Sequence, residues 1–406
     1  MKQSSGQQVV LGVQFLFVAF GATVLVPLLV GIDPAVALFT AGVGTLIFHL
    51  ITKGKVPVFL GSSFAFIAPI IACTKLYGLE STFSGLIAVG GVYAVASGLI
   101  KLRGLKDVER LFPPAVVGPV IMVIGLSLAH VAVDMAKTNW FVAIVVLLTA
   151  MVINIYGKGF MKLVPIFGAL VIGYCLSVAL DLSGLYIHFG DKIIDFSPII
   201  NADWFALPKF IHPEFNWNAV LFMLPVAFAP MIEHIGDMYA ISTVAKKDFV
   251  KEPGLHRTLL GDGIATAFAG FLGGPPNTTY SEVTGAISLT GVTNPTILRI
   301  SAITAICFSV IGKVSGFLRT IPQAVLGGIM LLLFGTIASV GIGALVQNKD
   351  HFAQPRNQAI AAVILTIGIG GAVFQFGEFS LSGIGLASLV GVVLNLILPD
   401  KSHAKK

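Results

Sequence analysis

The chain consists largely of long apolar runs, and this feature constrains its fold more than any other. Runs of about 20 apolar residues have the length that an α-helix needs to cross a bilayer. The sequence predicts fourteen such membrane spans, near residues 8–30, 35–52, 56–77, 82–100, 114–134, 140–156, 164–184, 217–240, 259–274, 275–293, 297–317, 321–346, 357–376 and 380–399. We therefore expect an all-α polytopic membrane protein with fourteen transmembrane spans.

The composition excludes the soluble classes of protein. Charged residues make up 11% of the chain and apolar residues 56%, whereas soluble domains carry about 25% charged residues. Disordered, collagen-like, coiled-coil and nucleic-acid-binding proteins are excluded as well, and the lipid bilayer is the expected surrounding. The net charge of +6 is interpreted as a topology signal, because basic residues in membrane proteins mostly set the orientation of the spans.

The cysteines and the N-terminus indicate no further kind of site. Cys73, Cys175 and Cys307 lie far apart inside apolar runs, so we expect them to be unpaired, buried and without a metal. The first residues, MKQSSGQQ, lead into an apolar run that continues past Pro27 without a small-residue cleavage site. This pattern predicts a first span rather than a signal peptide. No cofactor and no metal are expected, and a transporter is favoured over an enzyme.

The distribution of basic residues predicts the orientation. If the N-terminus is cytoplasmic, the six Lys and Arg on the outer side are Lys75, Lys137, Lys192, Lys209, Lys313 and Arg319. The other 19 of the 25 basic residues then lie on the inner side. Since cytoplasmic loops carry the excess of Lys and Arg, this count supports fourteen spans with both termini in the cytoplasm.

Matches between the two halves predict an inverted repeat. Residues 112–118 read FPPAVVG and residues 321–327 read IPQAVLG, while FLG occurs at both 59–61 and 271–273. Because each half holds seven spans, an odd number, the second copy must run in the opposite direction through the membrane. Chance similarity between helices rich in Gly, Ala and Val is the alternative. Inverted repeats with paired broken helices are typical of secondary transporters.

Two polar segments interrupt spans 3 and 10 at matching places. GSSFAFIAP (61–69) and GGPPNTTYSE (273–282) hold small residues, prolines and hydroxyls where a helix would continue. Pro275 and Pro276 cannot donate backbone hydrogen bonds, and the Thr and Tyr residues that follow favour extended structure. We expect two short extended segments that pair with each other and leave helix N-termini facing a ligand. The alternative is a pair of simple re-entrant loops.

Four carboxylates fall within spans 8 to 10, where a charge is costly. They are Glu233, Asp237, Asp262 and Glu282. A carboxylate at the bilayer centre costs at least about 2.5–3.5 kcal/mol, so these residues are expected to be functional.

Glu233 and Asp237 share one helix face at i, i+4, and two neighbouring acids are suited to carrying a proton. The alternative is an interhelical hydrogen-bonded pair. Gly236 is expected to admit a neighbouring backbone, and His234 is expected to pack or hydrogen-bond.

Six stretches carry a resemblance to a known family. They are GATVLVP (21–27), GSSFAFIAP (61–69), LFPPAVVG (111–118), EHIGD (233–237), EPGLHR (252–257) and PNTTYSE (276–282). Together they resemble the nucleobase–ascorbate transporter family, and within it the bacterial uracil permeases, over nearly the whole chain. The family signature maps onto residues 282–291, where Val283 replaces the usual Asn. Phe15 stands where the family often has His, and Asp237 stands where some uracil permeases have His.

The resemblance implies a division into domains. A core domain would combine spans 1–4 (residues 1–110) with spans 8–11 (217–320). A gate domain would combine spans 5–7 (111–185) with spans 12–14 (321–400), and an outer loop would cover 186–216. Secondary active transport by alternating access between the two domains is the implied activity, with uracil and a proton as partners. The sequence leaves the oligomeric state open, with a homodimer as one alternative.

The resemblance also implies the site residues. Glu233 would accept a hydrogen bond from one pyrimidine ring N–H, Glu282 would contact the other, and Glu233, Asp237 and Asp262 would couple the proton. Further substrate contacts are implied for four residues, Phe64, Ala22, Tyr280 and Ser281. The backbone around Phe64, Tyr280 and Ser281 would bind the carbonyl oxygens, Phe64 and Ala22 would wall the ring, and Phe334 would close the pocket from the gate side.

Three functions remain open on the sequence. Uracil fits two acid acceptors, because its ring has two N–H donors. A purine such as xanthine would need a larger pocket, and purine carriers of the family tend to have Gln at the position of Glu282. An ion or anion transporter or channel, or a membrane-embedded enzyme, is the alternative from another class.

Overall fold

The structure, a computed structural model, describes residues 5–104, 110–111, 113–184, 192–376 and 379–399. In the first half the helices are α1 (Ser5–Val30), α2 (Pro34–Ile51), α3 (Ile67–Tyr77), α4 (Leu79–Arg103), α5 (Pro114–Ser127), α6 (Ala129–Ala136), α7 (Trp140–Tyr156), α8 (Pro165–Leu182) and α9 (Ser197–Ile200). In the second half they are α10 (Trp217–Met223), α11 (Phe228–Ala245), α12 (Leu255–Phe271), α13 (Ser281–Thr290), α14 (Pro295–Ser309), α15 (Gly312–Arg319), α16 (Gln323–Gln347), α17 (Lys349–Phe352), α18 (Pro355–Ile369) and α19 (Gly383–Ile397).

Four short strands interrupt this helical fold. They are β1 (Leu60–Ser62), β2 (Asn277–Thr279), β3 (Val373–Phe376) and β4 (Phe379–Ser382). β1 pairs with β2, and β3 with β4, both in antiparallel register. Short 3₁₀ turns precede α3 at Phe64–Phe66 and join α10 to α11 at Leu224–Ala227.

The helices have the length and composition of membrane spans. Among the described residues, seven helical segments are apolar and long enough to cross a bilayer: Gly6–Val30, Pro34–Ile51, Leu79–Arg103, Pro114–Ala136, Pro165–Leu182, Trp217–Ala245 and Gln323–Gln347. Of four shorter apolar helices in the described residues, three lie between these segments in the chain and the fourth, Gly383–Ile397, follows the last of them. The expected helical membrane fold is therefore confirmed, and the count of fourteen spans stays a prediction.

Polar residues begin several of these helices. The Asp33 carboxylate accepts the backbone N–H of Ala35 at 3.0 Å at the start of α2, and Asn139 accepts that of Val142 at 3.1 Å at the start of α7. Such side chains satisfy amides that have no partner in the first helical turn. Backbone amides at helix ends near a bilayer need such hydrogen-bond partners.

Helix packing divides the described helices into two groups. In one, α4 and α2 pack against α12, and α14 packs against α1 and α2; in the other, α5 and α6 pack against α16, and α18 packs against α5 and α19. Each group contains a close contact between two glycines. A Cβ on Gly90 would lie 2.5 Å from the Gly263 carbonyl oxygen, and one on Gly341 would lie 2.5 Å from the Gly118 carbonyl oxygen. Small residues of this kind let membrane helices approach closely.

Two ion pairs join distant parts of the chain. Lys55, assigned to the inner side, pairs with Glu252, and the Lys55 ammonium lowers the pKa of the exposed Glu252 carboxyl. Arg319, assigned to the outer side, has its Nη2 2.7 Å from Asp33 Oδ2.

Two expectations about local structure were wrong. The apolar window 357–376 predicted a helix throughout, but α18 ends at Ile369 because Gly370 and Gly371 follow, the latter with φ of +67°. The β3–β4 hairpin then replaces the beginning of the last window. Cys175 and Cys307 are exposed on the protein surface, and of the three unpaired cysteines only Cys73 is buried as expected.

Candidate functional site

The β1–β2 pair forms the centre of the candidate site. Leu60 faces Thr279 in the register, Gly61 faces Thr278 and Ser62 faces Asn277. The backbone N–H of Ser63 extends the pairing by donating to the Pro276 carbonyl at 2.9 Å. The two interrupted segments therefore form extended structure and pair with each other, as the sequence predicted.

Buried polar side chains fasten this strand pair to α2 and α12. Thr45 of α2 accepts the Leu60 N–H at 2.9 Å, and Thr266 of α12 donates to the Asn277 carbonyl at 2.7 Å. The Asn277 amide donates in turn to the Thr40 carbonyl at 2.9 Å. Since the bilayer core offers no water to replace a missing hydrogen bond, these contacts make irregular backbone tolerable there.

A helix begins directly after each strand. The 3₁₀ turn Phe64–Phe66 and α3 follow β1, and α13 follows β2, with Tyr280 at its N-cap position. The first turn of a helix presents amide groups that lack partners within the helix, together with the positive end of the helix dipole. The strand pair thus brings two sets of N–H donors to one place.

Tyr280 locks the two segments together through its hydroxyl. The Tyr280 hydroxyl donates to the Ser62 carbonyl at 2.9 Å and lies 3.3 Å from Thr23 Oγ1 on α1. A Cβ placed on Gly61 would lie 2.6 Å from Cε2 of the Tyr280 ring. Only glycine at residue 61 leaves room for this ring.

Gly61→Ala is therefore expected to disturb the strand pair. Overpacking a buried site typically costs about 1–3 kcal/mol, so the melting temperature in detergent should fall and transport should be impaired. The matched control is Gly91→Ala on α4, where a Cβ would meet no atom within 4 Å. Equal melting temperatures and equal transport for the two variants would contradict the role of Gly61.

The acids on α11 lie beside the strand pair. Asp237 is buried, and its Oδ2 accepts a hydrogen bond from Thr279 Oγ1 of β2 at 2.6 Å. Glu233 is half-buried one turn earlier on the same helix, and Glu282 is exposed in the first turn of α13. The two glutamates are thus accessible to a ligand, whereas Asp237 is bound within the protein.

Asp262 and His234 form a second, fully buried pair. His234 Nδ1 lies 3.2 Å from Asp262 Oδ2, and neither side chain is exposed. The carboxyl of Glu233 lies within electrostatic range of the carboxyls of Asp237, Glu282 and Asp262. The four acids singled out in the sequence therefore form one electrostatically coupled group, which can accept N–H donors and exchange protons.

The remaining predicted residues are placed as follows. Phe64 is half-buried in the 3₁₀ turn after Ser63. Ala22 lies in α1 and Ser281 begins α13, but their side chains fall outside the described part of the structure. Phe334 is buried in α16, and its carbonyl oxygen packs against the α-carbon region of Gly125 on α5. The roles expected for these residues stay predictions.

Sequence reasoning missed three residues and misjudged a fourth. Thr23, Tyr93 and Thr279 were not singled out for a role, although hydroxyls inside apolar runs were the available signal. Tyr93 is fully buried on α4 within electrostatic range of Asp262 and Glu233. Gly236 was expected to admit another backbone, but it is exposed and a Cβ there would meet no atom within 4 Å.

Two cavities lie away from the four acids of the candidate site. One, of about 360 Å³, is polar and lined by Asp33, Ser197, Asp203 and Arg319, among others. The other, of about 560 Å³, is almost entirely apolar and lies between α1, α8 and α15. Neither contains a residue that the sequence predicted to bind substrate.

Solved structures with a similar fold are membrane transporters. The chain is similar to the transmembrane domain of a cyanobacterium bicarbonate transporter BicA, with a TM-score of 0.66, 15% identity and coverage of 98% of both chains. It is also similar to SLC26A9, with a TM-score of 0.72 and 10% identity over 96% of this chain. The chain spans 64% of the length of SLC26A9. The fold is thus that of a helical membrane transporter.

Sequence comparisons define the family. A model described as a permease family matches residues 6–376. The probable uracil permease of Pasteurella multocida is 50% identical over 99% of this chain and 96% of its own length. The uracil permease of Bacillus caldolyticus is 43% identical over 98% and 94%. The chain belongs to the nucleobase–ascorbate transporter family of permeases.

Proposed function

We propose that this protein imports uracil by proton symport. The observation that carries the proposal is the position of Glu233 and Glu282, two accessible acids beside the β1–β2 pair. Relatives named as uracil permeases match nearly the full length of the chain. An acidic site is unsuited to an anion, which argues against an anion carrier despite the similar fold of the bicarbonate transporter.

The donors and acceptors of uracil match those of the site. Its two ring N–H groups suit two carboxylates, which only accept hydrogen bonds when ionised. Its two carbonyl oxygens suit backbone N–H groups around Phe64, Tyr280 and Ser281, where the 3₁₀ turn and α13 begin. In this proposal Phe64 and Ala22 contact the ring faces, and Phe334 closes the pocket.

Proton coupling is assigned to Glu233, Asp237 and Asp262. The carboxyl of Glu233 lies within electrostatic range of the carboxyls of Asp237 and Asp262, so negative charges on these acids would repel, and a proton that arrives with the base would relieve the repulsion. Charge at this depth is costly, which favours transport of proton and uracil as one step.

The proposed architecture has fourteen spans in two inverted repeats. The antiparallel β1–β2 pair supports it, since one strand comes from each half of the chain. The core domain would comprise residues 1–110 and 217–320, and the gate domain 111–185 and 321–400, in agreement with the two packing groups. Alternating access between them would occur in a bacterial inner membrane, with both termini cytoplasmic.

Competition of radiolabelled uracil uptake in proteoliposomes tests the substrate. We expect unlabelled uracil to compete, and xanthine, bicarbonate and chloride to have no effect at the same concentration. Competition by xanthine with similar strength would assign the site to purines. Uptake of labelled bicarbonate without uracil uptake would overturn the proposal in favour of an anion carrier.

A further inference from the structure

The larger of the two cavities described above is separate from the four acids of the candidate site. We call it the aromatic groove and define it by Phe17 and Phe20 of α1, Phe167 and Tyr174 of α8, Phe317 of α15 and Trp204. Its volume is about 560 Å³. The Phe17 and Phe167 ring centroids lie 4.8 Å apart, and those of Tyr174 and Phe317 lie 5.0 Å apart.

The groove runs from the middle of the bundle to one of its ends. Phe17 lies 13 residues before the end of α1 at Val30, a distance of about 20 Å along a helix that rises 1.5 Å per residue. Trp204 and Lys313 lie at the other end of the groove, beside the start of α15. Because Asp33, just beyond α1, pairs with Arg319 of α15, Phe17 lies deeper in the bundle than the end of the groove beside α15.

The walls of the groove offer no hydrogen bond to a polar ligand at depth. The hydroxyl of Tyr174, the polar atom of its aromatic wall, already bonds Thr320 Oγ1 at 2.8 Å. The remaining wall residues at depth are Phe, Leu, Val and Cys175. Such a surface suits a hydrocarbon chain, which has no hydrogen-bonding groups. Uracil would be unfavourable there, because its polar groups would be buried without hydrogen-bond partners.

The open end of the groove carries a positive charge. Lys313 Nζ donates to the Ile199 and Ile200 carbonyls at 2.8 and 3.2 Å. In the part of the chain that the structure describes, no carboxylate forms an ion pair with the positive charge of Lys313. An anionic headgroup would complement it.

The three tryptophans are exposed, and Trp204 lies at this end of the groove. Trp204 is 70% exposed and Trp217 65% exposed, and Trp140, the third tryptophan of the chain, is 45% exposed at the start of α7. Tryptophan is enriched at the level of lipid headgroups. Lys313 lies beside Trp204 and therefore at headgroup depth.

We propose that the aromatic groove binds a phospholipid with an anionic headgroup. One acyl chain lies against Phe17, Phe20 and Phe167, and the phosphate lies next to Lys313. The lipid contacts α1 and α15 on one side and α8 on the other, so it lies between helices of the two packing groups, since α15 packs against α2 and α14, and α8 packs against α7 and α16.

Native mass spectrometry with added phosphatidylglycerol or phosphatidylcholine tests this site. Cys175→Trp fills the groove, because Cys175 is exposed on its wall. The matched control is Cys307→Trp, since Cys307 is equally an exposed, unpaired cysteine on an apolar helix but does not line the groove. We expect Cys307→Trp to retain phosphatidylglycerol and Cys175→Trp to lose it, with both variants monodisperse on size exclusion.

Val171→Trp fills the same groove from the neighbouring turn of α8 and replaces Cys175→Trp if that variant does not fold. In the unmodified protein, phosphatidylglycerol should bind more tightly than phosphatidylcholine. Lys313→Gln should reduce this preference about fivefold, because one Lys near an anionic headgroup contributes about that factor to the affinity. Equal lipid retention by Cys175→Trp and Cys307→Trp would overturn the proposal. A change of oligomeric state in Cys175→Trp with unchanged lipid retention would also overturn it, in favour of a second copy of the chain.

Discussion

Glu233→Gln and Glu282→Gln are each expected to reduce uracil affinity about tenfold to a hundredfold and to abolish measurable uptake. Each change keeps the size of the side chain and replaces a charged acceptor by a neutral amide. Hydrogen bonds to charged groups contribute about 1.5–3 kcal/mol. Both residues are accessible beside the β1–β2 pair, so the loss should fall on the ligand rather than on the fold.

Binding of labelled uracil to purified protein and uptake in proteoliposomes measure the effect. The control variant is Glu252→Gln, which makes the same chemical change at an exposed acid that pairs with Lys55 away from the strand pair. It should bind and transport like the unmodified protein. Unchanged affinity in both site variants, with normal expression, would show that these acids do not contact uracil.

Local sequence patterns predicted the parts of the site that depend on local chemistry. Pro275 and Pro276 cannot continue a helix, and the strand β2 begins directly after them. The i, i+4 spacing placed Glu233 and Asp237 on one face of α11, because that relation follows from helix geometry alone. Charges at membrane depth identified the four acids, since their cost requires a function.

Contacts between distant parts of the chain could not be predicted in the same way. The bond from Thr279 to Asp237 and that from Tyr280 to Ser62 depend on how α11 and β1 meet β2. The pairing of His234 with Asp262 likewise depends on α11 crossing α12. A one-dimensional apolar pattern also cannot distinguish a helix from the β3–β4 hairpin, because both are apolar over the same window.

The hydrogen bond between Thr279 and Asp237 changes how the site is interpreted. Asp237 accepts from Thr279 on the strand, whereas Glu233 is half-buried and Glu282 is exposed. In the proposed function, Glu233 and Glu282 contact the base, and Asp237, which is hydrogen-bonded to the strand, takes part in proton coupling with Glu233 and Asp262. Thr279→Val tests the contribution of this hydrogen bond, because it removes the hydroxyl donor and keeps the Asp237 carboxyl group.

Asp237→Asn is expected to separate binding from accumulation. Asn keeps an oxygen that accepts from Thr279, so the strand pair should remain intact, but it cannot exchange a proton. One proton with a neutral base moves one charge, worth about 2.3 kcal/mol per 100 mV, or about fiftyfold in concentration. The variant should bind uracil and exchange it across the membrane, and its accumulation should fall from this ratio to about one.

Uptake and counterflow in proteoliposomes with an imposed potential and pH gradient distinguish these outcomes. In the unmodified protein, uptake should rise as the external pH falls, because the outward-facing site loads a proton together with uracil, and a protonophore should abolish accumulation. Asp248→Asn, a change of the same kind at an exposed acid beside Lys251, should behave like the unmodified protein. Accumulation by Asp237→Asn with unchanged pH dependence would show that Asp237 does not couple the proton. Uptake that resists the protonophore and stops without sodium would instead identify sodium as the driving ion.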